Sequence, residues 1–254
     1  MILVMGGTAD GRELVRRIAA SGRRVIASAA TGYGARLLRE QGQKEIQARR
    51  LDAVGLAEFI RRHGIDALVD ATHPYAEAAS RAAIAACRAT GCRYLRYERP
   101  PVQPDDFPGA LIRAAGYREA AEWARTHGDG PALLTTGSKT LGVFAEILGV
   151  ERLVVRVLPT AEALRQCQRL GLAARQIVAM QGPFSHALNK ALIEHFGIRL
   201  LISKDGGEVG GMPEKLSAAA ECAVPVVLID RPAVDYPNRF RRMDDIFLAL
   251  GGEE

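Results

Sequence analysis

Five short segments of this 254-residue chain hold most of the residue types that could do chemistry. GGTADG (Gly6 to Gly11) places three glycines and a threonine where a strand would hand over to a helix. Glycines there let a backbone approach a pyrophosphate, and a helix N-terminus favours the anion. The spacing departs from G-x-G-x-x-G, because Thr8 stands where the second glycine should be. The same glycines could equally serve only a tight turn and close helix packing. ATHPY (Ala71 to Tyr75) sets a histidine between an apolar run and a helix. Either Thr72 caps that helix over a structural His73, or His73 and Tyr75 offer polar contacts or a proton.

TTGSK (Thr135 to Lys139) has the hydroxyls, glycine and cation of a phosphate or carboxylate cradle, without P-loop spacing. SKDGGEVGG (Ser203 to Gly211) is either a flexible loop or a site for its lysine. Lysine is scarce in this arginine-rich chain, being found only at 44, 139, 190, 204 and 215, and two of these fall in such loops. A compact ammonium on a flexible stem suits that place better than a guanidinium fork. In QGPFS (Gln181 to Ser185), Phe184 reads either as a core plug or as a flat surface for a ring. No G-x-S-x-G elbow, paired helical carboxylates or Tyr-x-x-x-Lys pair is present.

These segments need elements to position them. Apolar runs at Ile2–Met5, Val25–Ala29, Ala67–Asp70 and Arg93–Tyr97 alternate with amphipathic stretches, and a short segment lies near Glu45 to Arg49. Pro74 is expected in the first turn of an Ala-rich helix ended by Gly91. Arg99 to Gly109 holds four prolines in eleven residues, which no helix or central strand tolerates. The same alternation resumes at Ala132–Thr135, Leu153–Val157, Ile177–Met180, Leu200–Ser203 and Val226–Ile229, with a last helix near Met243 to Leu250. Alternating strands and helices mean βαβ units and parallel sheets. The expectation is therefore an α/β protein with two Rossmann-like doubly wound domains, residues 1–99 and 111–254, joined by a Pro-rich linker over 100–110. Nearly every Gly-, Thr-, Lys- or His-bearing segment follows a strand, the edge where open parallel sheets bind ligands. An active-site cleft between the two domains would gather them.

Composition narrows the classes. Hydrophobic residues at 48% and charged residues at 25% fit a globular chain, which excludes disorder and a collagen-like repeat. No apolar run reaches the roughly 20 residues of a membrane span. The N-terminus lacks a signal peptide's basic and long apolar regions, so a cytoplasmic protein is expected. Net charge is +5, spread as arginine pairs rather than a tract. Such pairs are either solvated helix faces and turn edges or the lining of a basic cleft for a polyanionic small molecule, and no nucleic-acid or membrane partner is expected. Cys87, Cys92, Cys167 and Cys222 read as reduced thiols without metal-ligand spacing, so no metal site is expected.

GGTADGREL, DATHPYAEAAS, YLRYERP, TTGSK, AMQGPFSHALNKALI, SKDGGEVGGMPEKLSAA and PVVLIDRP, in that order, resemble the precorrin-6A reductase family of cobalamin biosynthesis. ATGYG (Ala30 to Gly34) looks more like the cobalt-first branch, the cobalt-precorrin-6A reductases. The resemblance implies a two-domain enzyme that reduces one C=C bond of a tetrapyrrole macrocycle with NADPH or NADH. It implies that Gly6, Gly7, Thr8 and Gly11 hold the cofactor's phosphates while Thr31 and Arg36 flank its ribose. Thr136, Gly137, Ser138, Lys139, Lys204, Gly206, Gly207 and Lys215 would contact substrate carboxylates or the far side of the cofactor. His73, Tyr75 and Asp205 become candidate proton donors or orienters. The alternatives are a non-catalytic tetrapyrrole or anionic-ligand binder, or another NAD(P)-dependent α/β enzyme.

Overall fold

Leu3 and Val4 are wholly buried, so the first strand is covered on both faces, as a central strand of a parallel sheet must be. The computed structural model describes residues 1–102, 107, 109–207 and 210–251. The first five strands are β1 (Ile2–Met5), β2 (Val25–Ser28), β3 (Ile46–Gln47), β4 (Ala67–Asp70) and β5 (Arg93–Tyr97). They alternate with α1 (Ala9–Ala20), α2 (Gly32–Glu40), α3 (Ala53–His63) and α4 (Glu77–Thr90). Side chains accept the orphan amides at three of the four helix starts: Thr8 from Gly11, Thr31 from Gly34 and Asp52 from Gly55. The fourth, α4, begins at Glu77 without a side-chain cap, so Pro74 precedes the helix instead of opening it. Thr72 is spent elsewhere: its hydroxyl and amide both bind Asp70 Oδ1.

The second set is β6 (Leu111–Ala114), β7 (Ala132–Leu134), β8 (Leu153–Val157), β9 (Ile177–Ala179), β10 (Leu200–Lys204) and β11 (Val226–Ile229). Its helices are α5 (Tyr117–His127), α6 (Leu141–Leu148), α7 (Ala161–Arg169), α8 (His186–His195) and α9 (Met212–Glu221). The spatial order is β6-β11-β10-β7-β8-β9, and every pairing is parallel. The chain reverses its direction of travel across this sheet between β7 and β10.

The C-terminal end corrects the expected domain division. Residues 111–254 do not form one domain: Ala233–Glu254 group with Met1–Pro100, and Pro101–Pro232 form the second unit. The returning chain supplies β12 (Arg239–Phe240), which pairs in parallel with β5, and α10 (Met243–Ala249). The first sheet thus reads β12-β5-β4-β1-β2-β3, all parallel, and reverses between β1 and β4. The cause is burial: Ile246 of α10 is fully buried among Leu14, Val15 and Ile18 of α1. Arg17 fastens the outer side, with Asp244 at 2.7 Å and the Phe247 ring 4.6 Å below its guanidinium.

All four cysteines are free thiols. Among the described residues no helix is long and apolar enough to cross a membrane.

Candidate functional site

At the carboxyl edge of the first sheet, the β1–α1 turn lies beside the β4–α4 loop, where ligands bind in doubly wound sheets. Gly6 and Gly11 are packed backbone to backbone: a Cβ on Gly11 would stand 2.8 Å from the Gly6 carbonyl oxygen. One on Gly6 would stand 3.0 Å from the Ala71 oxygen. The Thr8 hydroxyl donates to that Ala71 carbonyl at 3.0 Å and accepts the Gly11 amide at 3.0 Å, tying the two loops together. Gly7, in contrast, is exposed, with only Gly34 Cα near its virtual Cβ, at 4.0 Å. Arg12 donates to the Gly7 carbonyl at 3.0 Å, and Arg99 pairs with buried Asp10 at 3.0 Å. Burial holds the Asp10 carboxyl above its usual range, against the pull of Arg99. Thr31 caps α2, and Arg36, one turn on, lies 5.3 Å from the Tyr33 ring and 3.7 Å from Glu40.

In the β4–α4 loop His73 is exposed and accepts the Tyr75 amide on Nδ1 at 3.3 Å, with ring centroids 5.6 Å apart. A neutral imidazole accepting at Nδ1 carries its proton on Nε2. Beneath it, fully buried Asp70 takes Arg96 at 2.9 Å and the Tyr94 hydroxyl at 2.7 Å. Arg96 also donates to the Thr72 carbonyl at 3.1 Å, so a buried ion pair fixes the base of the histidine loop.

The second sheet presents its motifs at its own reversal, between β7 and β10. Gly137 has φ +86°, which explains the glycine in TTGSK, and Thr140 donates to buried Thr136 at 2.9 Å. Ser138 is half-buried and Lys139 exposed. Lys204 stands 5.2 Å from the Tyr117 ring, and burial, then the Lys139 charge, lowers its pKa to about 8. Gly206 and Gly207 are buried, with the Gly207 amide on Asp205 Oδ1 at 3.1 Å. Asp205 does not sit as a proton donor. It is fully buried, accepts the Val102 amide at 3.2 Å, and pairs with Arg231 at 3.3 Å and Arg113 at 3.9 Å. Paired with two arginines and bound by the Gly207 amide, it anchors the loop.

Lys215 lies outside the glycine loop, on α9, and is buried. Its ammonium donates to the Ser203 hydroxyl at 2.8 Å and approaches the Met212 thioether at 3.4 Å. Burial, then the Arg156 charge, lowers its pKa to about 7. Arg156 donates to Asn189 Oδ1 at 2.7 Å and lies 4.0 Å from the Phe184 ring centroid. Phe184 is therefore a platform, and an arginine of this chain occupies its face.

Arg96, Arg99, Arg156, Asn189 and Arg231 did not emerge from the sequence motifs. A signal existed for Arg156, a lone charge inside the apolar run LVVRV, and for Arg96 inside YLRY. A charge in a strand covered on both faces needs either a buried partner or a ligand.

A family model described as precorrin-6x reductase CbiJ/CobK matches residues 1–250. A cobalt-precorrin-6A reductase of Methanothermobacter thermautotrophicus is 40% identical over 252 residues, spanning 96% of this chain and 82% of its own. One from Priestia megaterium is 37% identical over 253 residues, spanning 98% of each. A precorrin-6A reductase of Mycobacterium tuberculosis is 31% identical over 240 residues, spanning 91% of this chain and 88% of its own. The solved structure of a CobK precorrin-6A reductase has the same fold, with a TM-score of 0.78 at 24% identity, covering 98% and 96% of the two chains.

Proposed function

Because this chain belongs to the precorrin-6x reductase family, we propose that it reduces one C=C bond of cobalt-precorrin-6A with a hydride from NADPH. The observation that carries the cofactor half is the Gly6–Gly11 contact under exposed Gly7 at the sheet reversal. It leaves the amides opening α1 uncovered by any side chain at Gly7, which fits a pyrophosphate. Gly6, Gly7, Thr8 and Gly11 would hold the phosphates, with Thr31 and Arg36 flanking the ribose. The residues that close β2, Ser28, Ala29, Ala30 and Thr31, include no acid to bind an NAD ribose, which favours NADPH. The bound dihydronicotinamide supplies the hydride.

The chain's own residues then orient the macrocycle and deliver a proton. Hydride would add to one carbon of the double bond, and His73, once charged to imidazolium by a proton from solvent, would give the other its proton and return to the neutral imidazole. Tyr75 holds the imidazole through its backbone amide. Lys139, Lys204, Thr136, Gly137, Ser138, Gly206 and Gly207 form the edge that receives the substrate's carboxylates, with Lys215 behind them. The relatives' names favour the cobalt-bearing substrate.

The test is anaerobic incubation with cobalt-precorrin-6A, and separately precorrin-6A, with NADPH or NADH. Macrocycle spectral change with matching loss of reduced-nicotinamide absorbance, fastest for the cobalt complex with NADPH, is expected. No change in any of the four mixtures, with NADPH still bound, would remove the substrate and leave the cofactor site.

A further inference from the structure

We infer that Arg156 and Lys215 form a buried anion-binding site in the second unit, built to receive one carboxylate or phosphate of a ligand. The inference starts from strand periodicity. Leu133, Val154 and Leu201 pack into one apolar cluster with Met212 and Leu216 of α9 and Ile193 of α8. Two residues further along each strand, on the same face, stand Thr135, Arg156 and Ser203. β10, β7 and β8 are neighbours, so the three side chains form one row at the carboxyl end of that face. The row is joined: Thr135 Oγ1 donates to Ser203 Oγ at 2.9 Å, and Lys215 Nζ to the same oxygen at 2.8 Å. Asn189 of α8 closes the other side against Arg156.

The layer is therefore polar, buried and positively charged. Arg156 is 8% exposed and Lys215 7%. Among the described residues, no Asp or Glu oxygen lies within 4.0 Å of either cation. Their hydrogen-bond partners are a hydroxyl, a thioether and an amide oxygen, all neutral. Among the described residues, the other buried charges are paired: Arg96 with Asp70, Arg99 with Asp10, Asp205 with Arg231. Two desolvated cations acting on each other cost stability unless an anion joins them. The depressed proton affinities of both groups are what such a site shows without its anion. The Phe184 ring and Asn189 hold the guanidinium plane, so its orientation does not depend on the ligand. Lys139, just beyond β7, and Lys204, the last residue of β10, lie at the same sheet edge and add to the positive potential that draws an anion in.

Two sources supply the anionic oxygens, a side-chain carboxylate of the macrocycle or a phosphate of the cofactor. The site rests on the reductase reading only for the identity of that natural ligand. Lys215→Met and Arg156→Met test it, with Lys44→Met as the surface control. The probes are tricarballylate, inorganic phosphate, NADPH and cobalt-precorrin-6A, with dissociation constants read by calorimetry. Each variant is expected to melt no lower than the parent while losing at least tenfold in affinity for one class. Loss confined to tricarballylate and the macrocycle identifies a carboxylate site; loss confined to phosphate and NADPH identifies a phosphate site. Unchanged affinity for all four probes in both variants overturns the proposal. On the unsubstituted protein, binding at pH 8 in two buffers of different ionisation heat should take up about one proton. Absence of uptake with every probe overturns it independently of any variant. A parent that binds these anions through Lys215 but never reduces the macrocycle would sink the reductase reading and keep the site.

Discussion

A Cβ added to Gly11 would lie 2.9 Å from Gly6 Cα, a separation that packed side chains do not reach, so β1 and α1 meet through bare backbone at this point. A Cβ on Gly7, which follows Gly6, would meet only ordinary contact, with Gly34 Cα at 4.0 Å. The two positions should separate folding from binding. Gly11→Ala forces strand and helix apart and is expected to cost about 1–3 kcal/mol, read by urea unfolding. Gly7→Ala should unfold like the parent yet raise the KM for NADPH severalfold, because the methyl group stands where the phosphate must come. Equal KM effects with equal stability losses would remove the distinction.

Asp70 and Arg96 form the buried pair beneath the histidine loop, with Tyr94 and Thr72 completing the carboxylate's contacts. Asp70→Ala leaves a fully buried guanidinium without its main anion, and breaking such pairs costs about 3–5 kcal/mol. Denaturant midpoints measure this. Asp70→Ala combined with Arg96→Met should recover much of the loss, because the stranded charge goes with its partner.

Much of this architecture was legible in advance because parallel strands and helices announce themselves by period. Apart from β6 (Leu111–Ala114) and β12, the strand runs, the loops at their carboxyl ends and the alternating order follow from apolar spacing alone. β12 does not, since Arg239–Phe240 is two residues long and carries no apolar pattern; only its pairing with β5 defines it. Nor can spacing say that α10 buries Ile246 against α1, more than 200 residues away, so the sequence alone places the last segment in the wrong unit. The site divided similarly. Glycine turns are local and were readable, whereas Asp205 looked chemical until Arg231 and Arg113 came into contact with it. Partners distant in sequence decide whether a charged residue is an anchor or a reagent.

Ile246 tests that long-range return. It has no exposed surface and lies against Leu14, Val15 and Ile18. Ile246→Ala should destabilise by about 2–5 kcal/mol. Amide exchange in β12 and β5 should quicken together, since Arg96 N donates to Asn238 O and Glu98 N to Phe240 O across the pair. Exchange in β10 and β11 should stay unchanged.

His73 and Asp205 are expected to fail in different ways. His73 is exposed, so His73→Ala should fold normally and lower kcat by about 10²–10⁴. Asp205→Asn keeps the shape but removes the charge facing Arg231 and Arg113, so stability falls and loop order with it. Its kcat per folded molecule should change much less than that of His73→Ala. A drop in kcat for Asp205→Asn matching that of His73→Ala, at unchanged stability, would restore the aspartate as a reacting group.

Lys215 should also mark the pH dependence of stability. Burial and Arg156 bring its pKa to about 7 in the folded chain, against an ordinary value of 10.5. Between these values the unfolded chain binds a proton that the folded chain does not, so this group makes stability rise with pH. Below about 7 both states are protonated and the burial cost is present in full; above about 10.5 both are neutral and it vanishes. Lys215→Met removes the term, and the ammonium's cost with it. The difference in unfolding free energy, variant minus parent, should therefore be largest at pH 6 to 7 and shrink steadily toward pH 10. Saturating the site with the anion it prefers pairs the ammonium and raises its folded-state pKa. The slope of the parent should then flatten, while the variant's should not respond. A difference that stays constant from pH 6 to pH 10 would mean that Lys215 titrates alike in both states, and that its surroundings are wetter than their burial implies.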